Sequence, residues 1–271
     1  MEFGARSEVG QVRENNEDSF GLVPELNLFV LSDGMGGLEA GERASRLAVE
    51  TVITHCRDAA ANPELAVFGS RIEGVCEASN RLASAVRLAN QVIYEAAQEL
   101  GGRGGMGATI VAVLGLEDRL CIAHVGDSRA YLLRKGQFDQ LTEDHSFVAE
   151  QLRRGILTPE EAGRSKMQNV LTRALGVDRH VEVDVTEELV VEDDVYLLCS
   201  DGLFHELSEQ QIAGVLAEAT GAQQAADRVV ELANQAGGGD NITAIVLRYA
   251  PKQNGALSKI GRWFKGAEDP S

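Results

Sequence analysis

Basic residues, cysteines and long apolar runs are all scarce in this chain. Lys and Arg number 25 against 42 Asp and Glu, a formal net charge of −17. That balance excludes a protein that tracks nucleic-acid phosphates, because such binding depends on Lys and Arg neutralising them. The longest apolar stretch, Ala108 to Leu116, is far too short to cross a bilayer. The opening MEFGARSEVG has neither a basic n-region nor an apolar h-region, so no signal peptide is expected and the expected location is cytoplasmic. Four cysteines (Cys56, Cys76, Cys121, Cys199) are scattered without a C-x-x-C pair. They read as buried free thiols in a reducing compartment, not as a disulfide framework. Five histidines without an H-x-x-x-H or comparable pair lower the case for zinc.

What is present is ordinary in bulk: a 44% hydrophobic share over 271 residues, enough for a sizeable soluble core. The first 35 residues read as short strands, with Asn27 to Ser32 the clearest. An amphipathic helix is expected over 37–56, with Ala44, Leu47, Ala48, Thr51 and Val52 on one face, and a second between roughly Arg71 and Leu100. GGRGG (101–105) breaks that helix. From Gly107 to about Leu141 the signal turns to strands, then residues 142–173 read as two short helices in a surface excursion. Strands near 181–190 and 194–200, helices near 208–218 and 222–236, and a strand at 242–249 complete the chain. Strand-rich stretches interrupted by helix pairs predict an α+β fold in layers, with helices over antiparallel sheets. No linker is seen before Ala250, so one domain (1–250) with a tail (251–271) is expected.

Four short acidic elements stand at the ends of apolar runs: LFVLSDGMGG (Asp33), IAHVGDSRAY (Asp127), VYLLCSDGLF (Asp201) and GGGDNITAIV (Asp240). Each Asp is expected where a strand leaves or enters the core. One Asp-Gly alone is usually a turn. Several carboxylates gathered at one mouth repel each other and need cations, which points to a multi-metal site of oxygen ligands. Hard divalent cations such as Mg²⁺ and Mn²⁺ prefer such ligands.

Joined by RENNED near the N-terminus, the ordered set is Arg13-x-x-x-Glu17-Asp18, Ser32-Asp33-Gly34-x-Gly36-Gly37, Met106-Gly107-Ala108-Thr109, Gly126-Asp127-Ser128-Arg129, Ser200-Asp201-Gly202 and Gly239-Asp240-Asn241. This set resembles the metal-dependent serine/threonine protein phosphatases (the PPM, type 2C-like family), and most of all their bacterial branch. The resemblance runs from about Gly4 to Tyr249. It implies a four-layer α-β-β-α sandwich, two antiparallel sheets flanked by helix pairs, with the metal site at one edge. It implies that Asp33 bridges two Mn²⁺ or Mg²⁺ ions. The Gly34 carbonyl and Glu17 would complete one ion, Asp201 and Asp240 the other. The implied activity is hydrolysis of phosphoserine and phosphothreonine by direct attack of a metal-bridging hydroxide, with phosphorylated proteins as partners and a bacterial Ser/Thr kinase opposed.

Under the same resemblance Arg13 grips the phosphate with its planar fork, the alternative being a surface Arg beside acids. Asp18 would orient water at the metals. For Asp127 two readings stand, a third-metal ligand shared with Asp201 or a turn residue between strands. Many eukaryotic relatives carry His where Met35 stands, so the acid for the leaving oxygen is expected to be water, with His145 as the alternative. The excursion corresponds to the family's flap, in which Arg153, Arg154, Arg164, Lys166 and Arg173 make either a basic lid for a phosphorylated segment or a solvated face. In the tail, Leu257, Ile260, Trp263 and Phe264 share one helical face, which fits docking on the domain or fraying better than membrane contact. Two further function classes stay open: a non-catalytic phosphoprotein-binding module on the same fold, and a phosphohydrolase for small phosphates.

Overall fold

The structure, a computed structural model, describes residues 1–36, 39–99 and 105–249. The expected tail helix therefore lies outside the described residues, as do Gly37 and most of the GGRGG break. Two antiparallel sheets stand face to face. One is ordered β1 (Glu2–Glu8), β11 (Ile242–Arg248), β10 (Val195–Cys199), β7 (Arg129–Arg134) and β8 (Gln137–Gln140). The other runs β2 (Asp18–Val23), β3 (Leu28–Met35), β5 (Ile110–Gly115), β6 (Arg119–Val125) and β9 (Asp184–Leu189). The short β4 (Gly107–Ala108) pairs with the end of β3. Helices α1 (Ala40–Ala61) and α2 (Glu77–Glu99) cover the second sheet, while α6 (Glu209–Glu218) and α7 (Ala222–Ala236) cover the first. This is the four-layer sandwich the resemblance implied.

Three apolar layers hold it together. Along β3, Leu28 and Val30 face the helices, while Phe29 and Leu31 face the other sheet. On β10, Val195, Leu197 and Cys199 face the α6–α7 side, and Tyr196 and Leu198 meet Phe29 and Ile122 between the sheets. Strands buried on both faces carry continuous apolar runs instead of alternation. The faces of α1 and α2 turned to the sheet are rich in alanine (Ala44, Ala48, Ala85, Ala89), which lets helix and sheet approach closely. Helix α1 gives way to extended backbone at Asn62, as the following Pro63 requires. Helix α6 starts at a capping box, Ser208 with Gln211.

The 142–173 excursion holds α3 (Phe147–Arg153) and α4 (Pro159–Ala162), and an isolated bridge between Ser146 and Leu171 ties its two ends. One helix was not legible in the sequence, the single turn α5 (Asp201–Phe204) directly after β10.

Candidate metal centre

The sheets converge their ends on a cleft of about 400 Å³. Arg13, Glu17, Asp33, Asp127, Asp201 and Asp240 all line it. Asp33 lies near the end of β3, Asp127 just beyond β6, Asp201 at the first residue of α5, and Asp240 just before β11. The Asp33 N–H donates to the Thr109 hydroxyl (3.0 Å), and the Thr109 and Ser128 hydroxyls share a 2.6 Å hydrogen bond. Thr109 thus joins the Asp33 strand to the Asp127 turn. Gly126, at φ +104, makes that turn where a side chain would meet Thr109 Cβ at 2.7 Å. Across the turn, the Arg129 guanidinium pairs with Asp144 (2.6 Å) and lies over the Phe204 ring, 3.6 Å from its centre. Because Phe204 belongs to α5, this contact also holds Asp201 in place.

Asp18 is not in the lining but behind it. Its place opposite Asp33 in the β2–β3 register brings the two carboxyls together. One of its oxygens, Oδ2, accepts from the Thr243 hydroxyl (2.6 Å) and the Ser200 hydroxyl (2.8 Å), which fastens one sheet to the other. Asn241 organises the other side: its Oδ1 accepts from Glu17 N–H (2.8 Å) and its amide donates to the carbonyls of Val9 and Asn15. Gly34 is required by packing, since a Cβ there would stand 2.1 Å from the Gly41 carbonyl oxygen and 2.7 Å from that of Glu17.

Burial and like charge dominate the electrostatics of this arrangement. Burial, then Asp18, Asp201, Asp127 and Asp240 in turn, hold the Asp33 carboxyl well above the ordinary carboxylate range. Burial is the largest cause for the neighbours also: Asp18 rises to about 6, and Asp127 and Asp201 to about 7. Glu17 is raised as well, by burial against the opposing pull of Arg13. Among the described lining residues, the cation against this charge is chiefly Arg13, whose Nη2 donates to Asp240 Oδ2 at 2.8 Å. Asp18 Oδ1 and Asp201 Oδ1 are buried without any hydrogen-bond partner. Self-repelling, oxygen-only and partly unsatisfied, the cluster fits hard divalent cations and disfavours soft ones.

Two expectations change. His145, the alternative acid, is buried: its Nδ1 accepts from Gly126 N–H (3.0 Å), and its Nε2 lies 3.2 Å from Asp184. It braces the Asp127 turn and is absent from the cleft lining, so it is not placed to protonate a leaving group. The basic lid is largely neutralised, with Arg153 on Glu143, Arg154 on Glu150, and Arg173 on Asp184 and Glu182. The flap instead exposes Ile156, Met167 and Val170. Sequence reasoning missed His205, 3.6 Å from Asp201, and His180 on the cleft rim. Only their folded neighbours mark them out.

Sandwich and carboxylate cleft together define a class, proteins that gather divalent cations at one edge of paired antiparallel sheets. A family model described as protein phosphatase 2C matches residues 10–237. The chain belongs to the protein phosphatase 2C family. It is 37% identical over 246 residues to the serine/threonine protein phosphatase PstP of Mycobacterium tuberculosis, covering 91% of this chain and 44% of that protein. The chain therefore spans less than half the length of the mycobacterial relative. Against the serine/threonine phosphatase stp of Listeria monocytogenes the identity is 35% over 253 residues, covering 92% and 96%. The solved catalytic domain of PstP in complex with two manganese ions superposes with a TM-score of 0.75 at 38% identity, covering 90% and 96%. No helix among the described residues is long and apolar enough to cross a membrane.

Proposed function

We propose that this chain is a Mn²⁺- or Mg²⁺-dependent phosphatase that removes phosphate from phosphoserine and phosphothreonine in proteins, opposing a bacterial Ser/Thr kinase. The observation that carries this is the convergence of Asp33, Asp127, Asp201, Asp240 and Glu17 on one cleft, with Asp18 directly behind Asp33. Asp33, Asp201 and Asp240, with Glu17 and the Gly34 carbonyl, would hold two ions, and Asp127 with Asp201 a third. When bound, such ions neutralise phosphate charge and lower the pKa of water towards about 7, making hydroxide available at neutral pH.

The chain's own residues supply the rest. Arg13, with its side chain half exposed at the rim, swings from Asp240 to the incoming phosphate with its bidentate fork. Asp18, made an acceptor by Ser200 and Thr243, keeps Oδ1 free to orient water behind the cleft. Among the described residues, no serine or cysteine lines the cleft; of its two threonines, Thr109 has its hydroxyl occupied by Ser128 and Asp33 N–H, and Thr172 belongs to the flap, not to the strand ends that carry the acids. That supports direct attack by water over a phospho-enzyme. Met35 lines the cleft and has no proton to give, which leaves solvent, or His180 at the rim, to serve as the acid.

Two results check this reading. Hydrolysis should be fast on phosphoserine and phosphothreonine peptides with Mn²⁺ and far slower on a phosphotyrosine peptide. Activity confined to small phosphate esters would overturn the protein-substrate assignment. Arg13→Ala should raise KM about tenfold and also lower kcat, with Mn²⁺ affinity unchanged or slightly tighter because Asp240 loses a competing partner. Calorimetry finding Mn²⁺ binding much weakened would make Arg13 a structural partner of the acids.

A further inference from the structure

The four cysteines are scattered in sequence, yet the fold brings two of them into contact: Cys76 Sγ and Cys121 Sγ lie 3.7 Å apart. Cys76 directly precedes α2, and its carbonyl accepts the Asn80 N–H at 3.1 Å, so it sits at the N-terminal end of a 23-residue helix. Cys121 lies in β6, wholly enclosed, on the face that packs under α2. Glu187, opposite Cys121 in the β6–β9 register, fixes the geometry. Its Oε1 accepts from Cys76 N–H and from the Ser79 hydroxyl, both at 2.6 Å, and its Oε2 from Arg119 at 3.1 Å.

The two thiols are not equivalent. Cys76 is partly exposed, whereas Cys121 is fully buried with its sulfur against that of Cys76. The hydrogen bond from Cys121, helped by the Ser79 backbone, brings the Cys76 thiol down to about 6 against the opposition of burial and Glu187. The helix N-terminus favours the thiolate further. By contrast, burial pushes Cys56 and Cys199 up to about 12, and the contact with Cys76, then burial, raises Cys121, which therefore stays a thiol until it attacks. An accessible acidic thiol with a second thiol in contact behind it is the arrangement of a reactive and a resolving cysteine.

We propose that Cys76 and Cys121 form a peroxide-oxidisable dithiol, Cys76 attacking and Cys121 resolving. The Cys76 thiolate attacks one oxygen of hydrogen peroxide, breaks the O–O bond and becomes a sulfenic acid, while the departing hydroxide takes up a proton as water. Cys121 then attacks the Cys76 sulfur; the S–S bond forms, and the sulfenic oxygen leaves as a second water with the Cys121 proton. Two thiols are thereby oxidised and one peroxide is reduced. Closing from 3.7 Å to a bond of about 2.05 Å is a small movement, and Gly74 (φ +81), where an added Cβ would meet open space, leaves the approach to Cys76 room to shift. The alternative is a soft cation held by Cys76, Cys121 and Glu187, whose ligand atoms lie within 4.8 Å of one another. Glu187 argues against it, because its oxygens are already bound by Cys76 N–H, Ser79 and Arg119. Cys121 is at the opposite end of β6 from the Asp127 turn, so the bridge should alter stability and leave turnover nearly unchanged.

The test treats the reduced full chain with hydrogen peroxide. Expected is a loss of mass equal to two hydrogen atoms, a Cys76–Cys121 peptide on mapping, and recovery with dithiothreitol. The melting temperature should rise by about 5 °C or more, since a loop of tens of residues is closed. Cys121→Ser should leave a sulfenic acid at Cys76 that dimedone traps, and Cys76→Ser should abolish both products. Four free thiols after peroxide has consumed a small-molecule thiol would overturn the proposal, as would a bridge involving Cys56 or Cys199. Zinc protecting both thiols at stoichiometric concentration, with no disulfide formed on peroxide treatment, would likewise overturn it in favour of a cation site.

Discussion

Asp33→Asn is expected to cut turnover on a phosphothreonine peptide by about a hundredfold or more, while making the metal-free protein more resistant to heat. The two effects have one origin. Asp33 is surrounded by Asp18, Asp127, Asp201 and Asp240, and burial adds to their repulsion. Replacing its carboxyl with a neutral amide of the same shape removes that repulsion but leaves the Asp33 N–H bond to Thr109 intact. A carboxylate kept for stability would behave in the opposite way, so an amide variant that melts lower and still turns over would refute the assignment. Melting of the stripped variant beside wild type, with kcat on the same samples, is the check.

The second large effect is the pH dependence of stability. The folded-state pKa values of Asp18 (about 6), Asp127 (about 7) and Asp201 (about 7) lie above the unfolded value near 4, and Asp33 is raised with them. Raised acids make the folded state bind more protons than the unfolded one. Their stabilisation is full below pH about 4 and is lost as pH rises through about 6 to 7. Melting of the stripped protein should therefore fall from pH 5 to pH 8. Mn²⁺ must displace those protons, so it should add little at pH 5 and about 5 °C or more at pH 8 once well above its dissociation constant. Differential scanning calorimetry at a series of pH values, with and without Mn²⁺, measures this. An Mn²⁺ increment independent of pH would mean that the ion binds elsewhere than this cluster.

Much of this was readable along the chain, and the exceptions have physical causes. Strand-end positions of Asp33, Asp127, Asp201 and Asp240 followed from apolar runs that stop at Gly and Asp, and the long amphipathic helices from their periodicity. The division of strands between two sheets did not follow, because β3, β5, β10 and β11 are buried on both faces and no alternation marks which face meets what. Only the family resemblance implied the sandwich. Asp18 depends on Ser200 and Thr243, partners 182 and 225 residues away, so its anchoring was invisible locally. His145 looked like a loop residue because its partners, Gly126 and Asp184, come from other segments. For the flap, a basic lid and a solvated face both stood open, because Glu143, Glu150 and Asp184 come beside Arg153, Arg154 and Arg173 only in the fold.

The central claim is that the carboxylate cleft works only with divalent cations in place, and one measurement addresses it directly. Phosphothreonine-peptide hydrolysis would be followed in chelator-stripped protein while Mn²⁺ is titrated in. The account predicts no hydrolysis above background before Mn²⁺ and recovery to full turnover as it is added. Full turnover in the stripped protein, unchanged by added Mn²⁺, would contradict it.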